Sequence, residues 1–213
     1  MRVLDVQQGS PEWLAARCGL VTASRISDLM AKTKSGWGAS RANYAAQLVA
    51  ERLTGTVAES YTNAAMQWGK DTEAEARAAY GLFCDAPLTQ VGLVLHPTID
   101  QAGASPDGLV GDDGLVELKC PNTSTQIETL LGEKVPEKYI LQMQFQMACT
   151  GRQWCDFVSY DPRLPGEMAL FVKRIQRDEA VIRELESEVS KFLNEVSTTV
   201  SKLLEKYQGR AAA

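Results

Sequence analysis

The sequence predicts an α/β domain in which helices come first, a central mixed sheet flanked by helices follows, and one long helix closes the chain. Three observations predict it. Helix caps and Ala- and Glu-rich runs dominate residues 10–81, and short apolar runs bounded by Gly, Pro and Asp occupy 85–176. An apolar seam at spacings of three and four then runs through 178–207. The 213 residues suffice for a single domain with a full core, and no repeat or low-complexity linker divides them.

Ser10-Pro11-Glu12-Trp13 sets a capping hydroxyl before a first-turn proline, which predicts a helix start. Thr22 opens a second helix leading to Met30. Residues 32–40 are rich in Lys, Gly and Ser and read as a basic loop. A helix over 41–53 ends at Thr54-Gly55, and a helix over 62–81 is expected to stop at Gly81. Strands are expected at 88–96, 102–105 and 115–119, then helices over 122–131 and from Pro136 to 150. Strands at 154–160 and 168–175 flank the turn Asp161-Pro-Arg-Leu-Pro-Gly. Asp178 caps the last helix, whose seam is Ile182, Leu185, Val189, Phe192, Val196, Val200, Leu203 and Tyr207. Such a stripe packs on its own domain in the first reading and meets a subunit or partner in the second.

With 45% apolar and 23% charged residues, the composition is that of a folded soluble protein. No apolar run approaches the roughly 18–20 residues that span a bilayer. The N-terminus lacks the apolar segment of a signal peptide, so a cytoplasmic location is expected. Five cysteines without Cys-x-x-Cys spacing indicate neither a disulfide framework nor a zinc site, and are expected as reduced, mostly buried thiols. A net charge of −5 argues mildly against a nucleic-acid partner. Basic residues nevertheless outnumber acidic ones in 1–54, while 71–117 is strongly acidic, so a locally basic groove is compatible with the total.

The chemistry concentrates in residues 105–120. Gly111-Asp112-Asp113-Gly114 is hairpin-turn chemistry, which brings Asp107 back beside strand 116–119. Side chains alternate along a strand, so Glu117 and Lys119 share a face and Leu118 points the other way. Two carboxylates and an ammonium then converge, an arrangement suited to a hard divalent cation beside a reacting phosphate. Mg²⁺ prefers oxygen ligands and retains waters, so Asp107, Glu117 and the Leu118 carbonyl would suffice. Lys119 would orient the attacking water and stabilise phosphorane charge. A further acidic residue is expected from helix 62–81, where Asp71, Glu73 and Glu75 are open alternatives. His96 and the tryptophans Trp13 and Trp68 read as structural.

The surrounding residues carry a resemblance. Ala104-Ser-Pro-Asp-Gly-Leu and Leu115-Val-Glu-Leu-Lys-Cys-Pro resemble the phage lambda exonuclease family, the YqaJ-like viral recombinase nucleases. Gly19-Leu-Val-Thr-Ala-Ser, Trp68-Gly-Lys, Tyr139-Ile-Leu-Gln-Met-Gln and Tyr160-Asp-Pro-Arg are similar to further blocks of that family, in family order. The resemblance implies a restriction-endonuclease-like core within one exonuclease domain, helical over about 10–81, with the nuclease core over 85–176 and a terminal helix over 178–207. It implies a Mg²⁺-dependent, processive 5′→3′ exonuclease on linear double-stranded DNA, with two ions and Mn²⁺ as a substitute. The products would be 5′-mononucleotides and 3′ single-stranded overhangs for recombination. A ring-shaped homotrimer threaded by DNA, a single-strand-annealing partner, no membrane, and a phage or prophage origin in a bacterial host belong to the same expectation.

Matched position by position, the family's catalytic and metal-binding groups fall on Asp107, Glu117, the Leu118 carbonyl, Lys119, Glu73 and Gln142. Its pocket for a 5′-phosphate falls on Arg17, Ser24 and Ser105, and its DNA contacts on Lys34, Met66 and Tyr139. Thr125 stands where the family can carry an arginine, and Lys138 or Arg152 are the candidate substitutes. Two other readings compete: a structure-specific endonuclease with the same core, and a DNA-end-binding recombination protein without catalysis. A grip on a 5′-phosphate favours the exonuclease over the first, and an intact acidic–lysine set beside phosphate disfavours the second.

Overall fold

In the computed structural model, which describes residues 1–34, 36–57 and 64–208, the chain opens with strand β1 (Arg2–Leu4) and helix α1 (Pro11–Arg17). The Ser10 hydroxyl caps α1 by accepting the Trp13 amide at 3.1 Å. Strand β2 (Val21–Thr22), a 3-10 turn (Ala23–Arg25) and α2 (Ile26–Leu29) follow; Thr22 stands before the turn without a side-chain cap bond. The stretch expected as a loop contains an antiparallel pair, β3 (Lys32–Thr33) and β4 (Gly36–Trp37). Helix α3 (Ala39–Thr54) ends where Gly55 turns left-handed at φ 67°, a conformation that costs glycine little.

Helix α4 (Ala64–Cys84) corrects one expectation: it continues through Gly81. A mid-helix glycine costs only about 1 kcal/mol, and Tyr80, buried against the sheet with Cys84 packed beside it, holds the last turn in place. The chain leaves the helix at Asp85, at φ 44°. Residues 62 and 63 of the expected helix lie outside the described residues.

The single strand expected at 88–96 is instead two, β5 (Leu88–Thr89) and β6 (Leu93–Leu95), which join different sheets. Gly92 makes the crossing possible, because a Cβ there would lie 2.3 Å from the Val6 carbonyl oxygen. Then come β7 (Ala102–Ala104), β8 (Gly108–Val110), β9 (Gly114–Lys119), α5 (Thr123–Gly132) and α6 (Glu137–Thr150). The chain closes with β10 (Trp154–Tyr160), β11 (Leu170–Gln176) and α7 (Glu179–Gln208). Residues 166–169, partly expected as strand, form a 3-10 turn that leads into β11.

The strands make two mixed sheets. One has the order β11-β10-β9-β8-β5 with β9 and β10 parallel, and the other the order β1-β6-β7-β2 with β2 and β7 parallel. Helix α6 is wedged between them. Phe145 and Cys149 pack with Val94, Ala102 and Ala104 of the four-stranded sheet, while Met143 and Met147 pack with Leu115 and Phe157 of the other. Residues 143–149 are therefore all buried. On the opposite face of the five-stranded sheet, Tyr80 of α4 packs on Val116, Leu118 and Val158.

Asp178 caps α7 by accepting the Ala180 amide at 2.8 Å. The seam packs on the chain's own core from Ile182 to Val196, with Val200 and Leu203 partly covered and Tyr207 58% exposed. Phe192, fully buried and stacked on Tyr44 at 5.5 Å, anchors it. Phe192→Ala is expected to cost about 3–5 kcal/mol through the cavity it leaves, and Tyr207→Ala no more than about 0.5 kcal/mol. Urea unfolding of the two variants checks both values, and equal midpoints would contradict this packing.

Candidate active site

The expected hairpin forms, with Gly108 opposite Val116 and Gly111 in the turn at φ 49°. Arg152 fastens its closed end, donating from Nη1 to the carbonyls of Gly111 at 2.8 Å and Gly114 at 2.7 Å. At the open end, Asp107 Oδ2 accepts the Leu118 amide at 2.6 Å. Alternation along β9 puts Val116 and Leu118 under α4, while Leu115 joins the core against α6. Glu117 and Lys119 share that second face and are bonded directly, Lys119 Nζ to Glu117 Oε1.

Glu117 is 1% exposed, and an ionised carboxylate is tolerable at such a depth only if its oxygens are satisfied. Two glutamines of α6 supply amide donors: Gln142 to Oε1 and Gln146 to Oε2, both at 2.6 Å. Gln142 was expected in the site; Gln146 was not, although its place one turn further along the helix is the signal that could have found it. Burial works against the Lys119 ammonium, but the Glu117 and Asp107 carboxylates outweigh burial and hold it above the ordinary lysine value. Asp107 is pushed up to about 8 by burial and by the neighbouring Glu117 charge.

Lys119 and Gln142 line a cleft of about 740 Å³ between α4, α6 and β9, with Glu117 and Gln146 buried behind them. Glu73 lines it from α4, together with Lys70, whereas the Glu75 carboxylate accepts the Tyr160 hydroxyl at 2.8 Å. Geometry thus separates two acids that spacing left open. Tyr139 and Gln142 line the cleft from α6, and the Tyr139 ring stacks on Phe157 with Lys119 Nζ 5.1 Å from its centroid. Of the two substitutes for the arginine missing at Thr125, Lys138 lines the cleft; Arg152 does not, being occupied at the hairpin turn. Lys34 is exposed between β3 and β4 and is not part of the cleft lining. Met66 falls in the first turn of α4, and its side chain lies outside the described residues. His96 is fully buried and stacked on Phe145, its Nδ1 accepting the Ile99 amide at 3.1 Å.

Arg17, Ser24 and Ser105 are brought together. Arg17 Nη1 is 3.5 Å from Ser105 Oγ, and Nη2 is 3.4 Å from Thr22 Oγ1 and 3.5 Å from Ser24 Oγ. Trp13, read from the sequence as a packing residue, belongs here too. Its Nε1 donates to Ser105 Oγ at 2.9 Å, and the Arg17 guanidinium lies 4.1 Å above its ring. The spacing of four between Trp13 and Arg17 on one helix was the available signal. Burial lowers the Arg17 pKa, opposed by the charges of Tyr44 and Glu51, and no salt bridge to Arg17 is formed among the described residues. Ser24 lines the same cleft as Lys119, so the hydroxyl–arginine pocket and the acidic hairpin adjoin.

The donor set suits a hard cation. Asp107 Oδ1 has no hydrogen bond among the described residues, and Glu117 Oε2 takes only the Gln146 amide, so both oxygens keep lone pairs for coordination. No group of three or more His, Cys, Asp or Glu gathers closely enough to hold a metal by itself among the described residues. Two carboxylates with a backbone carbonyl fit Mg²⁺, which retains waters, better than an all-protein cage would. Cys120, next to Lys119, is pushed up to about 12 by burial and by the Glu73 and Asp107 charges, and so stays a thiol.

Known proteins agree with this architecture. Two crystal structures of the alkaline exonuclease LHK-Exo from Laribacter hongkongensis are similar to it: one in complex with dAMP, at 56% identity and a TM-score of 0.88 over 94% of this chain and 99% of that one. The other matches at 55% and 0.87 over 96% and 100%. A phage-related exonuclease from Haemophilus somnus 129PT, at 16% identity and a TM-score of 0.67 over 86% of this chain and 96% of that one, shares the fold. No curated protein matches significantly. The model of the YqaJ-like viral recombinase domain matches residues 12–153, a stretch that contains the hairpin, the two glutamines of α6 and the Arg17 pocket, and the chain belongs to that family.

Proposed function

We propose that this protein is a Mg²⁺-dependent exonuclease that degrades the 5′-ended strand of linear double-stranded DNA processively, releasing 5′-mononucleotides and leaving 3′ overhangs. One observation carries the reading. An arginine that forms no salt bridge among the described residues holds three hydroxyls within 3.5 Å, beside the cleft that Lys119 of the acidic–lysine hairpin lines. Forked guanidinium and hydroxyl donors are suited to a terminal phosphate. An enzyme that cuts within a strand has no need of such a pocket, which disfavours the endonuclease alternative. That the 56% identical LHK-Exo forms a complex with dAMP supports a nucleotide as a ligand of this chain.

In this reading Asp107, Glu117 and the Leu118 carbonyl hold the metal, and Glu73 faces it across the cleft. Two ions are proposed, with Mn²⁺ as a substitute. When bound, the ion supplies Lewis acidity to the phosphoryl oxygens and lowers the pKa of a coordinated water. Lys119, bonded to Glu117 and lining the cleft, orients the attacking water and stabilises the developing phosphorane charge. Gln142 and Gln146 hold the Glu117 carboxylate in place. Tyr139 and Lys138 line the path of the strand, and Lys138 provides the cation absent at Thr125. Arg17, Ser24 and Ser105 take the new 5′-phosphate after each cut, which draws the duplex forward. Lys34 and Met66 are assigned to the duplex ahead of the cut. A homotrimeric ring would keep the enzyme on its substrate, and the overhang would pass to a single-strand-annealing protein. No described helix is long and apolar enough to cross a membrane; the proposed setting is the cytoplasm of a bacterial host, from a phage or prophage gene.

Digestion of linear and circular duplex with Mg²⁺, with separate 5′ and 3′ labels, tests the whole reading: loss of the 5′ label from linear DNA alone is expected, and cutting of circles would favour the endonuclease. Lys119→Ala is expected to slow cleavage by about 10²–10³-fold or more with DNA-end binding retained, and unchanged turnover would remove its catalytic role. Arg17→Ala is expected to abolish the preference for 5′-phosphorylated over unphosphorylated ends and to shorten each processive run; a parent enzyme indifferent to the phosphate would defeat the pocket assignment. Light scattering at working concentration is expected to give three times the chain mass, and a monomer would exclude the ring.

A further inference from the structure

We infer that Arg77 is a positioning residue that sets the geometry between Glu73 on α4 and Asp107 on the hairpin, an inference that rests on the exonuclease reading. Arg77 lies one helical turn after Glu73, with a side chain only 18% exposed. Its Nη2 donates to Glu73 Oε1 at 2.6 Å and its Nη1 to the Asp107 backbone carbonyl. With the Gln90 amide oxygen turned toward it, Nε and Nη2 also reach that oxygen at 3.3 Å. One planar guanidinium thus ties together α4, the link between β5 and β6, and the residue that starts the catalytic hairpin.

The carbonyl bond matters because it fixes the peptide plane that follows the Asp107 Cα, and with it the direction of the Asp107 side chain. The neighbouring residues are pinned in the same way: Gln8 Nε2 donates to the Pro106 carbonyl at 2.9 Å, and Trp13 Nε1 to the Ser105 hydroxyl at 2.9 Å. Three consecutive residues of the Ser105-Pro106-Asp107 link are therefore held by side chains from elsewhere in the fold.

Glu73 needs a tether for a separate reason. It lines the 740 Å³ cleft on one side and a cavity of about 310 Å³ on the other, the latter lined also by Asp5, Gln8, Arg77 and Gln90. Without the Arg77 bond its carboxylate has room to swing out of the cleft into the space behind. A simple surface ion pair at this spacing would contribute little and would act on stability alone. A lysine could keep the charge opposite Glu73, but its single ammonium lacks the forked donors that reach all three partners.

The test compares Arg77→Lys and Arg77→Ala with the parent. Steady-state digestion of 5′-phosphorylated duplex gives kcat and KM, and calorimetric titration of the DNA-free protein with Mn²⁺ gives affinity, each normalised to the folded fraction. Both variants are expected to lose about 10–100-fold in kcat and to bind Mn²⁺ more weakly by a similar factor, the range typical of residues that orient metal ligands. KM is expected to stay within about twofold because the phosphate pocket is untouched. Parent values of kcat and Mn²⁺ affinity in Arg77→Lys would overturn the inference, as would a change confined to KM. Should Arg77→Ala fail to fold, the lysine variant still decides. A parent that binds Mn²⁺ but digests no DNA would defeat the exonuclease reading instead, and the Mn²⁺ comparison would then judge Arg77 independently.

Discussion

Glu117 is buried in the middle strand of a five-stranded sheet, and the surrounding structure is arranged to offset the cost of a carboxylate there. Burying a carboxylate without hydrogen-bond partners is costly, so every arrangement that buries this one must bring donors to its oxygens. Lys119 comes from the same strand two residues on, and the two glutamines come from α6. This requirement locks α6 against β9 at a fixed rotation. The wedge of α6 between the sheets is thus both a packing solution and a polar one. The methionines of one face fill the core while the glutamines beside them satisfy the acid.

The second constraint is shared use of a short link. Ser105, Pro106 and Asp107 lie between β7 of one sheet and β8 of the other, so the residue proposed for the phosphate and the residue proposed for the metal are two positions apart on a segment that crosses between sheets. Side chains from α1, α4 and the N-terminal segment hold that link. In the proposed reading this rigidity would serve the chemistry, because a reacting phosphodiester and a captured terminal phosphate would have to be spaced by one nucleotide. The acidic total charge leaves room for a basic cleft, because Lys70, Lys119 and Lys138 line it beside Glu73.

Much of the fold was legible because the relevant signals are local. The Ser10 cap, the Gly55 stop, the Asp178 cap and β10 from Trp154 to Tyr160 fall where the residues place them. The errors occur where packing overrides a local preference. Gly81 stays helical because Tyr80 is held by the sheet, and 88–96 splits because Gly92 passes against the N-terminal backbone. Within the site, the strand alternation that pairs Glu117 with Lys119 and the turn that returns Asp107 were readable for the same reason. Gln146, Trp13 and Arg77 were missed although each lies four residues from an expected site residue on its own helix, because that spacing puts two side chains on one face without saying which distant group they meet.

By itself, then, the sequence determined the hairpin, the face on which its charges lie, the helix ends and the apolar seam of α7, all consequences of backbone period and turn chemistry. Tertiary structure put Glu73 on the cleft and Glu75 against Tyr160, brought Lys138 rather than Arg152 to the cleft, and set Arg17 beside the Ser24 and Ser105 that the family resemblance had grouped with it. Those choices depend on how α1, α4 and α6 are rotated against the two sheets. That rotation is set by the whole core and by the donors Glu117 requires, and no short stretch of residues contains it.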